Sequence, residues 1–144
     1  MSCVRIFIMK YYKTIEVICR VIIQRNKDIL LCKNIEHSLY YLPGGHVEFG
    51  DSMNKTVYKE LNEELGLRED QIKNLKYIDV LENFFGEGEN QSHEINLIFS
   101  ANLSEDASIK SMESHIDFEW KNINELKDIS FMPIEMIPII QNNI

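Results

Sequence analysis

The chain has 144 residues, 44% of them apolar and 26% charged, a globular balance rather than a disordered one. That length suits one compact domain, so residues 1–144 are read as a single unit. A net charge of −8 argues against a protein that grips a nucleic-acid backbone, a task for clustered Lys and Arg. It leaves a small phosphorylated ligand open, because bound divalent cations reverse the local field where acidic side chains gather.

In chain order, the run Val4 to Met9 is broken by Arg5 and followed by Lys10, too short and too interrupted for a signal peptide. Tyr12 to Gln24 is rich in β-branched residues and predicts a strand. Asn26-Lys27-Asp28 turns it back into Ile29–Cys32, a hairpin. Tyr40-Tyr41-Leu42 is a short extended piece stopped by Pro43-Gly44-Gly45, and His46 to Phe49 alternates polar and apolar before Gly50. Asp51 to Leu65 is the clearest helix, with Ser52 as N-cap and Gly66 as stop. Val57, Leu61 and Leu65 recur at i+4, and Met53 and Tyr58 widen that stripe toward a core.

Further strands are expected at Lys76–Phe85, Glu94–Ala101 and Ile116–Trp120. A short helical turn follows at Asn124–Lys127 and a terminal helix at Pro133–Gln141. Strands around a mid-chain helix, with another helix at the end, imply an α/β fold: a mixed sheet sandwiched by helices. The apolar tail Ile134–Ile140 is suited to its own core or to a second copy in a homodimer. The three cysteines, Cys3, Cys19 and Cys32, are odd in number and widely spaced, so they read as buried thiols of a reducing cytoplasm. No apolar run reaches the roughly 18–20 residues of a membrane span.

The chemistry concentrates between Gly45 and Leu67. Glu60, Glu63 and Glu64 stand at i, i+3 and i+4, so three carboxylates share one helix face. On spacing alone such a triplet describes a solvated surface as well as a cation site. Hard cations such as Mg²⁺ prefer carboxylate oxygen, water and substrate phosphate, and one held there would neutralise a diphosphate and acidify an attacking water.

The stretch resembles the Nudix box of the MutT-like hydrolases, Gly-x5-Glu-x7-Arg-Glu-U-x-Glu-Glu-x-Gly-U, where U is a bulky aliphatic. Gly45, Glu60, Leu61, Glu63, Glu64, Gly66 and Leu67 fall on its positions with unbroken spacing. The motif covers 23 residues, Gly45 to Leu67. The hairpin before it, the lead-in Leu42-Pro43-Gly44-Gly45 and the late Trp120 with its Asn-Glu-Leu turn also look like the family. Two positions depart: Asp51 stands where the family has Glu, and Lys59 where it has Arg. Both keep charge, while Asp51 loses reach and Lys59 loses the planar fork.

The resemblance implies a Nudix-type α/β/α sandwich that hydrolyses a phosphoanhydride bond with Mg²⁺ or Mn²⁺. Glu63 and Glu64 would be the principal metal ligands, Glu60 a further ligand or water-orienting group, and the Gly44 carbonyl another donor. Lys59 and Asp51 would support them. A further acid outside the box is often needed, and Glu113, in a loop before the Trp120 strand, is the candidate, with Glu94 as competitor. Gly45, His46 and Phe84 are candidate substrate contacts. For His46 a partly exposed structural role is the reading favoured by the residues themselves, and for Phe84 a place in the core. His93 at a strand entrance is a base candidate, again beside a structural reading.

Small nucleotides are the expected partners, not membrane or polymeric nucleic acid. Glu82 occupies the place of the proline that marks ADP-ribose hydrolases, and Asn83, Phe84 and Phe85 occupy the stretch where dinucleoside polyphosphate hydrolases carry a Tyr. Nucleoside triphosphates and sugar nucleotides stay open. Two rivals remain: a non-catalytic nucleotide-binding or regulatory domain on the same fold, and an RNA-decapping member of the family.

Overall fold

The computed structural model describes residues 13–144; Cys3, Tyr12 and the Val4–Met9 run lie outside them. Strands β1 (Ile15–Arg25), β2 (Asp28–Asn34), β3 (Leu39–Tyr41) and β4 (Gly44–His46) lead into helix α1 (Met53–Leu65). Strands β5 (Ile72–Phe85), β6 (Ser92–Leu103) and β7 (Ile116–Asn122) follow, and helix α2 (Met136–Asn142) is the last element. The strands form one seven-stranded sheet in the order β3-β2-β1-β6-β5, with β4 paired to β1 and β7 to β2. Only β1 and β6 run parallel, so the sheet is mixed.

Strand alternation divides the core between two faces. Cys19, Val21 and Ile23 turn to one side, where Val57, Leu61 and Leu65 of α1 meet Phe99 and Ala101. Ile22 turns to the other, where Met136, Ile137 and Ile140 of α2 pack with Ile98, Ile29 and Leu31. Helices on both sides of a mixed sheet make the α/β/α sandwich expected above. The apolar tail therefore feeds this chain's own core, and its helix begins at Met136 because Pro133–Glu135 forms a turn instead.

Helix α1 starts and stops for local reasons. The Ser52 hydroxyl accepts the Lys55 N–H at 3.2 Å, and Gly66 closes the far end at φ 68°, its N–H reaching the Asn62 carbonyl. Met53 departs from expectation: it is 42% exposed, and Thr56 and Glu64 take the buried flank. Strands β5, β6 and β7 each run longer than the apolar pattern suggested, since ladder pairing continues through polar residues. Of the alternating stretch His46–Phe49 only His46 is strand, the end of Gly44–His46, and the short helical turn before α2 is 3-10 helix at Ile123–Glu125.

Candidate active site

Two elements bring the acids together. Gly44 and Gly45 of β4 pair with Arg20 and Cys19 of β1, which lays this short strand under α1. A side chain at Gly44 would meet the Cys19 carbonyl oxygen at 1.9 Å, and at Gly45 the Glu60 carboxyl at 2.3 Å. Glycine is what lets the Glu60 carboxylate lie against backbone.

Glu64 is 8% exposed, and its Oε2 accepts the Gly44 N–H at 3.1 Å. That bond fixes Gly44, the residue whose carbonyl is the expected further metal donor, beside the Glu64 carboxylate. Burial pushes the Glu64 carboxyl up to about 7; the charges of Glu60 and Glu113 add to the rise, while the Gly44 amide and Arg20 oppose it. Glu60, half-buried, is raised by burial and then by Glu63, against the pull of Lys59 and His46. Glu63 is exposed.

Glu113 joins this group from the β6–β7 loop. The Met112 N–H donates to the Glu64 carbonyl at 3.1 Å and the Lys110 N–H to the Leu65 carbonyl at 3.0 Å. Those bonds use the orphan carbonyls of the last turn of α1 and clamp the loop to the helix. The Glu113 charge is felt at both Glu60 and Glu64, and its carboxylate lies 3.4 Å from His115.

Beside the acids opens a cavity of about 300 Å³ lined by Arg20, Tyr41, Asn83, Phe85, Glu94 and Met132, among others. Arg20 lies 5.7 Å from the Tyr41 ring centroid and donates to the Leu42 carbonyl at 3.1 Å. Arg20 and Tyr41, on the cavity wall, lie within electrostatic reach of Glu64, although none of the box acids lines the cavity itself. Larger clefts, of about 510 and 550 Å³, lie on the outer side of α1 and beside Trp120, away from the carboxylates.

The sequence model of the NUDIX domain matches residues 14–142. The chain belongs to the Nudix family. A NAD-capped RNA hydrolase NudC from Actinobacillus succinogenes is 38% identical over 76 residues, covering 46% of this chain and 28% of that protein. An RNA pyrophosphohydrolase from Ruthia magnifica is 36% identical over 52 residues, 36% of this chain and 29% of the relative. The chain thus spans less than a third of these curated relatives' length. Among solved structures, a MutT protein from Bacillus halodurans superposes with a TM-score of 0.70 at 23% identity, over 88% of this chain and 80% of that one. The E. coli dihydroneopterin triphosphate pyrophosphohydrolase gives 0.70 at 14% identity, over 92% and 96%. At those identities the likeness shows the Nudix fold.

The two departures from the Nudix box are tied up on the surface. Lys59 Nζ pairs with Glu48 at 3.1 Å, and Asp51 with Lys55 at 2.6 Å, one helical turn on. Lys59 still acts on Glu60 through its charge. His46 is exposed and bonds Glu16 at 3.0 Å, close enough to Glu60 to lower its pKa.

Phe84 and Phe85 fall on opposite faces of β5. Phe84 stacks on His93 with centroids 4.2 Å apart, and His93 is bonded to Glu82 at 3.2 Å. It is Phe85 that lines the cavity. Glu94 is not grouped with the box acids; it lines the same cavity, with the Asn96 amide donating to it at 3.3 Å.

Arg20 and Tyr41 were not singled out from the sequence. Arg20 had a signal: it is the one basic residue in the apolar run Val17–Ile23. A guanidinium kept inside a core strand needs a reason.

A divalent cation fits this donor set. Oxygen-only carboxylate ligands suit Mg²⁺ and Mn²⁺. Among the described residues, Glu60, Glu63 and Glu64 have no Lys or Arg ion-pair partner; the charge of Glu63 raises the pKa of Glu60, and that of Glu60 raises the pKa of Glu64. No three His, Cys, Asp or Glu side chains among those residues form a ready-made cage. Mg²⁺ is commonly held by one or two carboxylates together with waters and substrate phosphates.

Proposed function

We propose that this protein is a divalent-cation-dependent hydrolase of a phosphoanhydride bond in a nucleoside diphosphate linked to another group, such as a nucleoside triphosphate or a sugar nucleotide. The observation that carries the reading is the buried Glu64 carboxylate, held by the Gly44 amide, under the charges of Glu60 and Glu113 and within electrostatic reach of Arg20 and Tyr41 on a cavity wall.

Glu63 and Glu64 would hold the cation, with Glu60 as a third oxygen donor. Bound there, the metal would supply Lewis-acid polarisation of the diphosphate and a more acidic water. The chain's own residues do the rest. Tyr41 and Phe85 offer aromatic faces for a base. The Arg20 guanidinium, fixed by the Leu42 carbonyl, draws the phosphates toward the acids. Glu113 takes the proton of the attacking water, with Glu60 the other acid in reach. The new oxygen–phosphorus bond forms as the anhydride bond breaks, leaving a nucleoside monophosphate and a phosphorylated product, or pyrophosphate from a triphosphate. Lys59 and Asp51 keep their charges and are paired with Glu48 and Lys55, so those box departures are compatible with turnover.

The test is product analysis on a panel of nucleoside triphosphates, sugar nucleotides, dinucleotides and capped RNA ends, with Mg²⁺, Mn²⁺ or chelator. Capped RNA belongs there because of the relatives' names, although a net charge of −8 disfavours a long RNA. Metal-dependent cleavage of a small nucleotide supports the reading. Nucleotide binding without cleavage under every metal favours the non-catalytic domain instead. No described helix is long and apolar enough to cross a membrane. Cys19 and Cys32 are buried and free, which fits the reducing cytoplasm we assign to it.

A further inference from the structure

We propose that Glu94 and Asn83 read the edge of a guanine base in the cavity beside the acids, which makes a guanine nucleotide the preferred substrate. The inference rests on the hydrolase reading above and adds to it the identity of the base.

Asn83 and Glu94 are directly opposed partners across β5 and β6, so their side chains rise from the same face as neighbours. Both line the cavity that holds Tyr41 and Phe85. The Glu94 carboxylate is ordered from behind: the fully buried Asn96 donates its amide to Oε2 at 3.3 Å. Oε1 has no hydrogen-bond or ion-pair partner among the described residues. Apart from the Arg20 guanidinium, the rest of the wall is aromatic and apolar, so the cavity presents one carboxylate acceptor pair with an amide alongside.

A carboxylate only accepts, so it selects an edge with adjacent donors. Among the common bases, guanine alone offers two, the ring N–H and the 2-amino group side by side. Adenine and cytosine set an amino group next to a ring nitrogen whose lone pair the carboxylate repels. Uracil has one N–H between two carbonyls. The Asn83 amide completes the match by donating to the guanine 6-oxo group. Arg20, on the same cavity and within electrostatic reach of Glu64, fixes the other end by directing the phosphates to the box acids. Glu94 is assigned here to recognition rather than to proton transfer.

The experiment compares kcat/KM for GTP, ITP, ATP, CTP and UTP with Mg²⁺, in the wild type and in Glu94→Gln. ITP differs from GTP only by the missing 2-amino group. The expected result is a preference for GTP over ITP of roughly 10- to 100-fold, from one buried hydrogen bond to a charged group. In Glu94→Gln that ratio falls toward one. A ratio does not depend on how much of the variant is folded. Equal rates on GTP and ITP in the wild type overturn the proposal, and so does a ratio that survives in the variant. Loss of all five activities in equal proportion overturns it too, by placing Glu94 in the chemistry. Should no triphosphate be cleaved, the hydrolase reading of these substrates falls by itself. Calorimetric binding of GMP against IMP then decides the base: tighter GMP upholds the proposal, and equal or absent binding ends it.

Discussion

Glu64 on helix α1 accepts a hydrogen bond from the backbone N–H of Gly44 on strand β4, across 3.1 Å and with little of the Glu64 residue exposed to solvent. One bond thereby joins the acid-bearing helix to the glycine turn, and it leaves a carboxylate where burial opposes its charge. Function and stability are in tension at this residue, and the tension can be measured.

The first consequence is in pH. The folded pKa of Glu64 is raised to about 7, above its ordinary value of 4.5. A raised acid favours the fold while it is protonated. The metal-free protein is therefore most stable below about pH 4.5 as far as this group is concerned, and loses that contribution as pH climbs through 7. The loss is at most about 3 kcal/mol, from 1.36 kcal/mol per pKa unit. Glu119, pulled down to about 2 by Lys121, Lys33 and Tyr40, acts in the opposite sense. Its contribution is lost only as pH falls below the ordinary carboxylate range, so it does not mask the effect. Thermal melts in chelator from pH 5 to 8 are expected to show a falling Tm. Saturating Mn²⁺ should flatten that slope, and Glu64→Gln should abolish most of it.

The two glycines separate function from folding. Gly45→Ala would push a methyl group onto the mobile end of the Glu60 side chain. The fold should survive with Tm within a few degrees, while kcat/KM drops roughly 10- to 100-fold as Glu60 is displaced. Gly44→Ala meets the Cys19 carbonyl backbone at 1.9 Å and must also hold φ at +145°. It should lose β1–β4 pairing and give little folded protein. Circular dichroism melts alongside rates distinguish the two outcomes.

Leu61 carries the packing of α1. It is fully buried against the Cys19, Val21 and Phe99 side of the core. Leu61→Ala is expected to destabilise the protein by about 2–5 kcal/mol. Denaturant titration gives the value, and a loss below 1 kcal/mol would mean that α1 is not held by this face.

Much of this site was legible because its signals are local. Ser52 and Gly66 bounded α1 to within two residues, and Val57, Leu61 and Leu65 named its buried stripe. The 60/63/64 spacing put three carboxylates on one side of it. The burial of Glu64 was readable but unread: 57, 61 and 64 step by four and three, which sets Glu64 on the apolar stripe rather than beside Glu63. The cavity was not legible. Arg20, Tyr41, Asn83 and Phe85 come from three strands separated by up to 65 positions, and only sheet order makes them neighbours. Choosing between Phe84 and Phe85 needed the register of β5 against β6, and a single-residue slip exchanges the faces. The partners of Asp51 and Lys59 were likewise set by side-chain reach rather than by motif.

The central claim is that the box carboxylates hold a divalent cation for phosphoanhydride cleavage. Its most direct test is the rate of cleavage as a function of Mn²⁺ concentration, at fixed nucleotide, for the wild type beside Glu64→Gln. The account predicts saturable activation of the wild type, none in chelator, and a fall of at least roughly 100-fold in the variant. Cleavage that continues in chelator, or a Glu64→Gln curve that overlies the wild type, would contradict it.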